Sequence, residues 1–246
     1  MLIRRNALVT RLDRYLPLTP EERSLLDSAE QRERRIPAGE RLIAQDDNGT
    51  TLWVVEQGWF HASVEMPAGG RQILRFHYAG DLMGVSSVAW AWSSNTLTAV
   101  SDCIVAELPK IELGRIFARQ PRLAGLLYAV AAAEYVAMGD RLTSMGRMGA
   151  MERLATLLLD IRARLRVTAG GVIDSYDLPL TQQDIGDAVG LTKVHVSRTL
   201  GEMERQGLIS RNGRRMKIAD EARLVEMSGF VDRYGIIDTS WLPAAA

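Results

Sequence analysis

The sequence predicts an α+β chain in three parts. An amino-terminal block of short strands closes into a sandwich or rolled barrel, a long helix follows, and short helices with a strand hairpin end the chain. Three observations carry this. From about Glu33 to Leu108 short apolar runs alternate with turn residues. From Pro121 to about Gly146 apolar residues recur at intervals of three and four. At 181–203 two capped helical segments meet at Gly190, and a basic hairpin follows at about 208–218.

Each element has its own signal. "TPEERSLLDSAE" reads as a helix with Thr19 as N-cap, Pro20 in the first turn and Glu22 three residues after the cap. The strand runs are "RLIAQ", "TLWVVEQG", "WFHASVEM", "QILRFHY", "NTLTAVSD" and "CIVAEL", with turn signals at 37–39, 46–49, 58, 67–70 and 80–81. "PKIELGRIFARQ" is a short helix. The helix from Pro121 carries Leu123, Leu127, Val130, Ala137 and Leu142 as a packing seam, with Ala131, Ala132 and Ala133 small enough for close approach. Pairing with a second subunit is the expectation for this seam, and packing on the chain's own strands is compatible with it. "GAMERLATLLLDIRARLR" is a third helix, apolar at Leu154, Leu157, Leu158 and Ile161, and "VTAGGVIDSYDLPL" reads as strand–turn–strand around Gly170 and Gly171. The hairpin turn is placed at Asn212 and Gly213, which both tolerate positive φ.

Bulk properties exclude several classes. The 246 residues suffice for two domains; 47% are apolar and 24% charged, as in a globular protein, and the formal net charge is zero. Any nucleic-acid signal must therefore be local. "MLIRRNALVTRLDRYL" has no apolar export core, and the longest apolar run, 123–133, is too short to span a bilayer, so a cytoplasmic protein without membrane attachment is expected. The single cysteine, Cys103, rules out an intramolecular disulfide. No phosphate-binding glycine loop, HExxH or Cys–His spacing appears; with histidines only at 61, 77 and 195, neither an enzyme nor a metal site is expected.

The carboxy-terminal pattern points to double-stranded DNA. Thr181 can cap "QQDIGDAVG", Gly190 makes the corner and Thr192 caps the next helix. On that second helix Val196, Leu200 and Met203 form one apolar stripe. Lys193, Val194, His195, Ser197 and Arg198 gather near its exposed amino end. Arg198 can present its fork to guanine O6 and N7, Val194 can touch a thymine methyl, and His195 can donate or accept. Between Leu191 and Lys217 the net charge is +5, with Arg211, Arg214, Arg215 and Lys217 on the hairpin, where phosphates would lie.

At these residues a resemblance becomes specific. "LTQQDIGDAVGLTKVHVSRTLGEMERQGLI" resembles the DNA-binding module of the Crp–Fnr superfamily of bacterial regulators, and "SRNGRRMKI" its wing. "IPAGERLI", "LWVVEQGWF" and "GDLMG" resemble its cyclic-nucleotide-binding-like beta roll, a double-stranded beta-helix, and the helix from Pro121 its dimerisation helix. "VHVSRTL" is similar to a subgroup carrying VHVNRTL. The resemblance implies an effector domain at 1–120, a dimerisation helix at 121–146 and a winged helix-turn-helix domain at 147–246. It implies a homodimeric transcription regulator that reads a palindrome through Thr181, Gln182, Thr192, Lys193, Val194, His195, Ser197 and Arg198, with Arg214 and Arg215 in the wing. Effector binding would reorient the DNA-binding domains about a hinge near 146–149, and RNA polymerase would be a partner if the protein activates. The competing reading is a small-molecule sensor of the same fold that acts through protein contacts.

The departures from the family pattern narrow the effector. The resemblance places a pocket at Gly80, Asp81, Leu82, Met83, Gly84 and Val85, with Ser93, Ser94 and Met138. Members that bind cAMP carry a glutamate after the Gly-Asp turn and an Arg-Ser pair about ten residues on. Here Gly84 is followed by Val85 and Ser86, "WSSNTLTAV" has no arginine, and Met138 and Gly139 stand where hydroxyls hold adenine. Binding of cAMP in the usual mode is not expected. One cysteine is too few for the iron–sulfur cluster of some members, and a haem would rest on His77, His61 or Cys103, which read better as structural. Many members also carry glutamate where Val194 stands, so their half-site sequences do not transfer.

Overall fold

Asn6 opens the first helix, α1 (Ala7–Tyr15), its side chain accepting from Val9 N at 2.9 Å. Thr19 opens α2 (Pro20–Ala29), and Glu22 accepts from Thr19 N at 2.8 Å, completing the capping box expected from the sequence. This is a computed structural model, and it describes residues 6–67 and 69–244. Arg4 and Arg5 of the amino-terminal segment, and Ala68 in the expected 67–70 turn, lie outside the described residues.

The strands follow as β1 (Glu33–Ile36), β2 (Arg41–Ile43), β3 (Thr51–Gln57), β4 (Phe60–Glu65), β5 (Arg71–His77) and β6 (Leu82–Met83). A single helical turn, α3 (Ser86–Ala89), precedes β7 (Thr96–Ala99) and β8 (Cys103–Pro109). They form two antiparallel four-stranded sheets, ordered β1-β8-β3-β6 and β2-β7-β4-β5. Alternation along β3 and β8 divides two cores. Trp53, Val55 and Val105 meet Phe60, Ala62, Met83, Leu97 and Ala99 between the sheets. Leu52, Val54, Ala106 and Leu108 meet Leu8, Leu12, Leu26, Ile116, Leu123 and Leu126 from the flanking helices α1, α2, α4 (Lys110–Arg119) and α5 (Pro121–Arg147). Burial on both faces is why "LWVV" reads as an unbroken apolar run; each such large side chain contributes about 1.5–3 kcal/mol. Cys103 belongs to the inter-sheet core, and burial pushes its thiol pKa up.

The rest is α6 (Ala150–Ala169), β9 (Ser175–Asp177), α7 (Gln182–Val189), α8 (Lys193–Arg205), β10 (Ile209–Asn212), β11 (Arg215–Ile218) and α9 (Glu221–Ser228). Leu154, Leu157, Leu158 and Ile161 of α6 are buried, as their spacing predicts, and α6 packs on α7, α8 and α9. The expected strand–turn–strand after it is half wrong. Helix α6 runs on to Ala169 and ends at Gly170 in the left-handed conformation (φ 72°), so only 175–177 remain as strand. That strand joins the hairpin, giving the order β10-β11-β9.

Compactness divides the chain differently from the three expected segments. One unit runs to Ala131 and includes the stretch from Ile237; the other is Ala132–Ile236. The boundary thus falls inside α5, and the tail returns to the first unit, where Leu242 packs into the helix-side core. A Cβ at position 125 would lie 2.4 Å from Leu242 Cδ2, so Gly125 admits the tail. By length and composition alone α5 is long and apolar enough to cross a membrane, although its longest unbroken apolar run is 123–133. Its polar residues Glu134 and Asp140, however, pair with Arg164 (2.5 Å) and Arg233 (2.7 Å) of their own unit.

Candidate nucleic-acid interface

Helices α7 and α8 are fixed by their ends. Thr181 N donates to Asp184 Oδ2 at 2.9 Å and Asp184 N to Thr181 Oγ1 at 3.1 Å; Thr192 Oγ1 accepts from His195 N at 3.2 Å. The corner needs glycine twice. Gly190 is left-handed (φ 70°), and a Cβ at Gly186 would lie 2.4 Å from the Leu191 carbonyl oxygen. Guanidinium groups close the carboxy end of α7: Arg141 donates to Ala188 O and Arg153 to Val189 O, both at 3.2 Å.

The two faces of α8 are as expected. Val196, Leu200 and Met203 are buried, whereas Thr192, Lys193, Ser197 and Arg198 are exposed and Val194 is 70% exposed. His195 is half-buried, at the margin of that face. Thr181 and Gln182 are exposed at the start of α7.

The hairpin differs from expectation at its tip. Asn212 pairs with Arg215, so the turn residues are Gly213 and Arg214, and positive φ occurs at Gly213 (59°) but not at Asn212. A left-handed first central residue is the type II′ pattern. Arg214 therefore occupies the tip. Along β11, Arg215 and Lys217 face solvent while Met216 and Ile218 are buried.

The local charge excess is better distributed than the count of +5 suggests. Glu202 pairs with Arg205, and Glu204 with Arg211 at 2.5 Å; the Arg211 bond holds the Glu204 carboxyl below its usual range. That leaves Lys193, Arg198, Arg214 and Lys217 with no acidic partner among the described residues. Arg215 donates to Ser175 Oγ at 2.9 Å. The cations without an acidic partner are thus at the start of α8 and on the β10–β11 hairpin.

Structure splits the expected seam of α5. Leu123 is fully buried in its own unit, and Leu127 and Val130 pack on the same core, so these three are committed to the first unit; Ala137 is half-buried. Of the five, Leu142 alone lies open, at 73% exposure. The open face instead carries Tyr128, Tyr135 and Leu142, spaced seven apart, beside Ala131, Ala132, Met138 and Gly139. Their heptad spacing was a signal available in the sequence and masked by the alanines around it.

The expected effector residues serve several purposes. Asp81 is buried in an ion pair with Arg11 of α1 and accepts from Tyr78 N at 3.0 Å; His77 Nδ1 lies 3.7 Å from its other side. Gly80 faces α1 so closely that a Cβ would lie 2.8 Å from Ala7 O. These residues bind α1 to the strands. Met83 fills the inter-sheet core, Leu82 packs on the helix side, and Gly84 accepts from Ser87 Oγ at 2.7 Å. Ser93 is buried and donates to Asn95 O at 2.7 Å, whereas Val85 and Ser94 are exposed. Met138 lies on the open face of α5. His61 is buried against Arg71 at 3.0 Å. Trp53 and Trp59 pack internally, but Trp90 and Trp92 are about half exposed.

Comparison with known proteins agrees with this architecture. The model of the Crp-like helix-turn-helix domain matches residues 152–227, and that of the cyclic nucleotide-binding domain matches 33–120. The nitrogen fixation regulation protein FixK of Bradyrhizobium diazoefficiens is 34% identical over 209 residues, 82% of this chain and 86% of that protein. The fumarate and nitrate reduction regulatory protein of Vibrio cholerae is 27% identical over 216 residues, covering 87% and 86%. Among solved structures, FixK2 of Bradyrhizobium japonicum superposes with a TM-score of 0.72 at 29% identity, over 81% of this chain and 98% of that one. The c-di-GMP-responsive global regulator CLP of Xanthomonas campestris shares the fold, at a TM-score of 0.65 and 15% identity over 82% and 100%.

Proposed function

The chain belongs to the Crp/Fnr family of transcription regulators, and from that premise we propose that it acts as a homodimer whose two α8 helices read an inverted repeat in the major groove. The observation that carries this is the exposed start of α8. Lys193, Val194, Ser197 and Arg198 stand clear of a helix seated by Val196, Leu200 and Met203, and Arg214 is exposed at the tip of the hairpin that follows. Arg198 reads a guanine, Val194 a thymine methyl, and Thr181, Gln182, Thr192, Arg214 and Arg215 hold phosphates. Valine at 194 cannot accept from cytosine, so the half-site differs from that of members with glutamate there; we group the chain with those carrying VHV(S/N)RTL.

The subunits pair through the open face of α5, Tyr128, Tyr135 and Leu142 with small residues between. Ion pairs at Glu134 and Asp140 favour a protein partner for this helix over a lipid one. Control resides in the roll and answers a signal other than cAMP bound in the usual way. Asp81 is already bonded to Arg11, and 92–100 offers no cation for a cyclic phosphate. We place the protein in the cytoplasm, with RNA polymerase as partner where it activates.

The test is DNA binding against salt concentration. Affinity for promoter fragments should fall steeply as salt rises, and Arg214→Ala should weaken all sequences alike and reduce the log–log slope by about 1. Absence of binding to every fragment of the source genome would favour a sensor acting through protein contacts.

A further inference from the structure

The carboxy end of α7 is closed by residues far away in sequence. An α-helix leaves its last carbonyls without partners, and α7 has no basic residue in its own last turn. Arg141, near the end of α5, donates through Nη2 to Ala188 O at 3.2 Å. Arg153, in the first turn of α6, donates through Nη1 to Val189 O at 3.2 Å and through Nε to Met148 O at 2.8 Å. Met148 lies in the two-residue link between α5 and α6. A Cβ at Gly190 would lie 3.5 Å from Arg153 Nη1 and 3.7 Å from Met145 Cε, so the corner itself sits against both. Thr192, the cap of α8, follows two residues later.

The same half of α5 is held twice more within this unit. Glu134 pairs with Arg164 and accepts from Tyr234 OH at 3.3 Å, and Asp140 is bonded by two guanidinium nitrogens of Arg233, at 2.7 and 3.2 Å. The segment of α5 preceding the link is therefore not a free arm.

We propose that Arg141 and Arg153 are positioning residues that transmit the orientation of the dimerisation helix to the recognition helix, so that the spacing between half-sites is set by these two side chains. Arg153 bridges the link carbonyl and the corner carbonyl with two nitrogens of one rigid plane, a fixed fork that the single, flexible ammonium of lysine does not reproduce. Arg141 donates to Ala188 O, and lysine keeps a cationic donor for that carbonyl. The inference rests on the dimeric, palindrome-reading function proposed above.

The test uses the full-length protein and duplexes carrying its selected palindrome at native spacing or with one base pair added to or removed from the centre. Thermal unfolding and sedimentation first establish that each variant is folded and dimeric. Arg141→Met and Arg153→Lys should each weaken binding at native spacing about tenfold, the equivalent of one charge-assisted hydrogen bond. They should weaken it less at altered spacing, so that the preference for native spacing shrinks. Arg141→Lys, which keeps a cationic donor, should lose less affinity at native spacing than Arg141→Met and retain more of the spacing preference. Should Arg141→Met fail to fold, Arg153→Lys decides alone, and failure of both to fold would overturn a positioning role in favour of a purely architectural one. An unchanged spacing preference in folded variants, even with weaker binding, would also overturn it. An unmodified protein that shows no preference for any spacing would instead refute the palindrome-reading function, and this inference with it.

Discussion

In the proposed function Arg198 carries most of the base readout. Its guanidinium is exposed on the first turns of a helix whose opposite face is fully seated, and no acid within the described residues neutralises it. Arg198→Ala should cost roughly 1–3 kcal/mol on the preferred site and erase one guanine from the selected sequence, leaving the other positions unchanged. A selection that returns the original sequence would remove Arg198 from base readout. Other residues have roles that sequence pattern alone could not assign. Asp81 sits in the Gly-Asp turn that family resemblance gives to the effector, but its carboxylate holds Arg11 and the Tyr78 amide. Arg11 is 70 positions away, and no local periodicity announces such a pairing. Arg141 and Arg153 were invisible for the same reason, since their partners are carbonyls on another helix.

Elements with strong local chemistry were legible. The capping box of α2, the Gly190 corner, the apolar stripes of α6 and α8 and six of the strand runs follow from short spacings. Helices α1 and α9 were not predicted. Each is short, and α1 owes its place to long-range packing of Leu8 and Leu12 on β3. The seam of α5 was legible only in part. Apolar residues occur on most sides of this helix, so intervals of three and four can be traced along more than one face. Burial separates them, because Leu123 is taken by its own unit and Tyr135 is not. Leu123→Ala should therefore lower thermal stability by about 2–5 kcal/mol without dissociating subunits. Tyr135→Asp combined with Leu142→Asp should give a folded monomer with nearly unaltered stability of its first unit. Sedimentation and thermal unfolding distinguish the two outcomes, and a double variant that stays dimeric would move the interface elsewhere.

At the scale of the molecule, the order of roll, long helix and winged helix-turn-helix was readable because each part has its own period and turn chemistry. The division within α5 and the return of the tail were not. Both depend on which apolar side chains meet, as Leu242 meets Gly125, and a continuous helix carries no sequence mark at the point where two units share it. The proposed function requires an assembly: two open α5 faces in contact, each tied through Arg141 and Arg153 to an exposed α8. The measurement that tests this most directly is selection of duplex DNA from a random pool by the purified full-length protein. The expected product is an inverted repeat with half-sites centred about one helical turn apart, roughly 10 base pairs, with one protein dimer per duplex and a guanine in each half. Recovery of a single unpaired half-site, or of no enriched sequence at all, would contradict it.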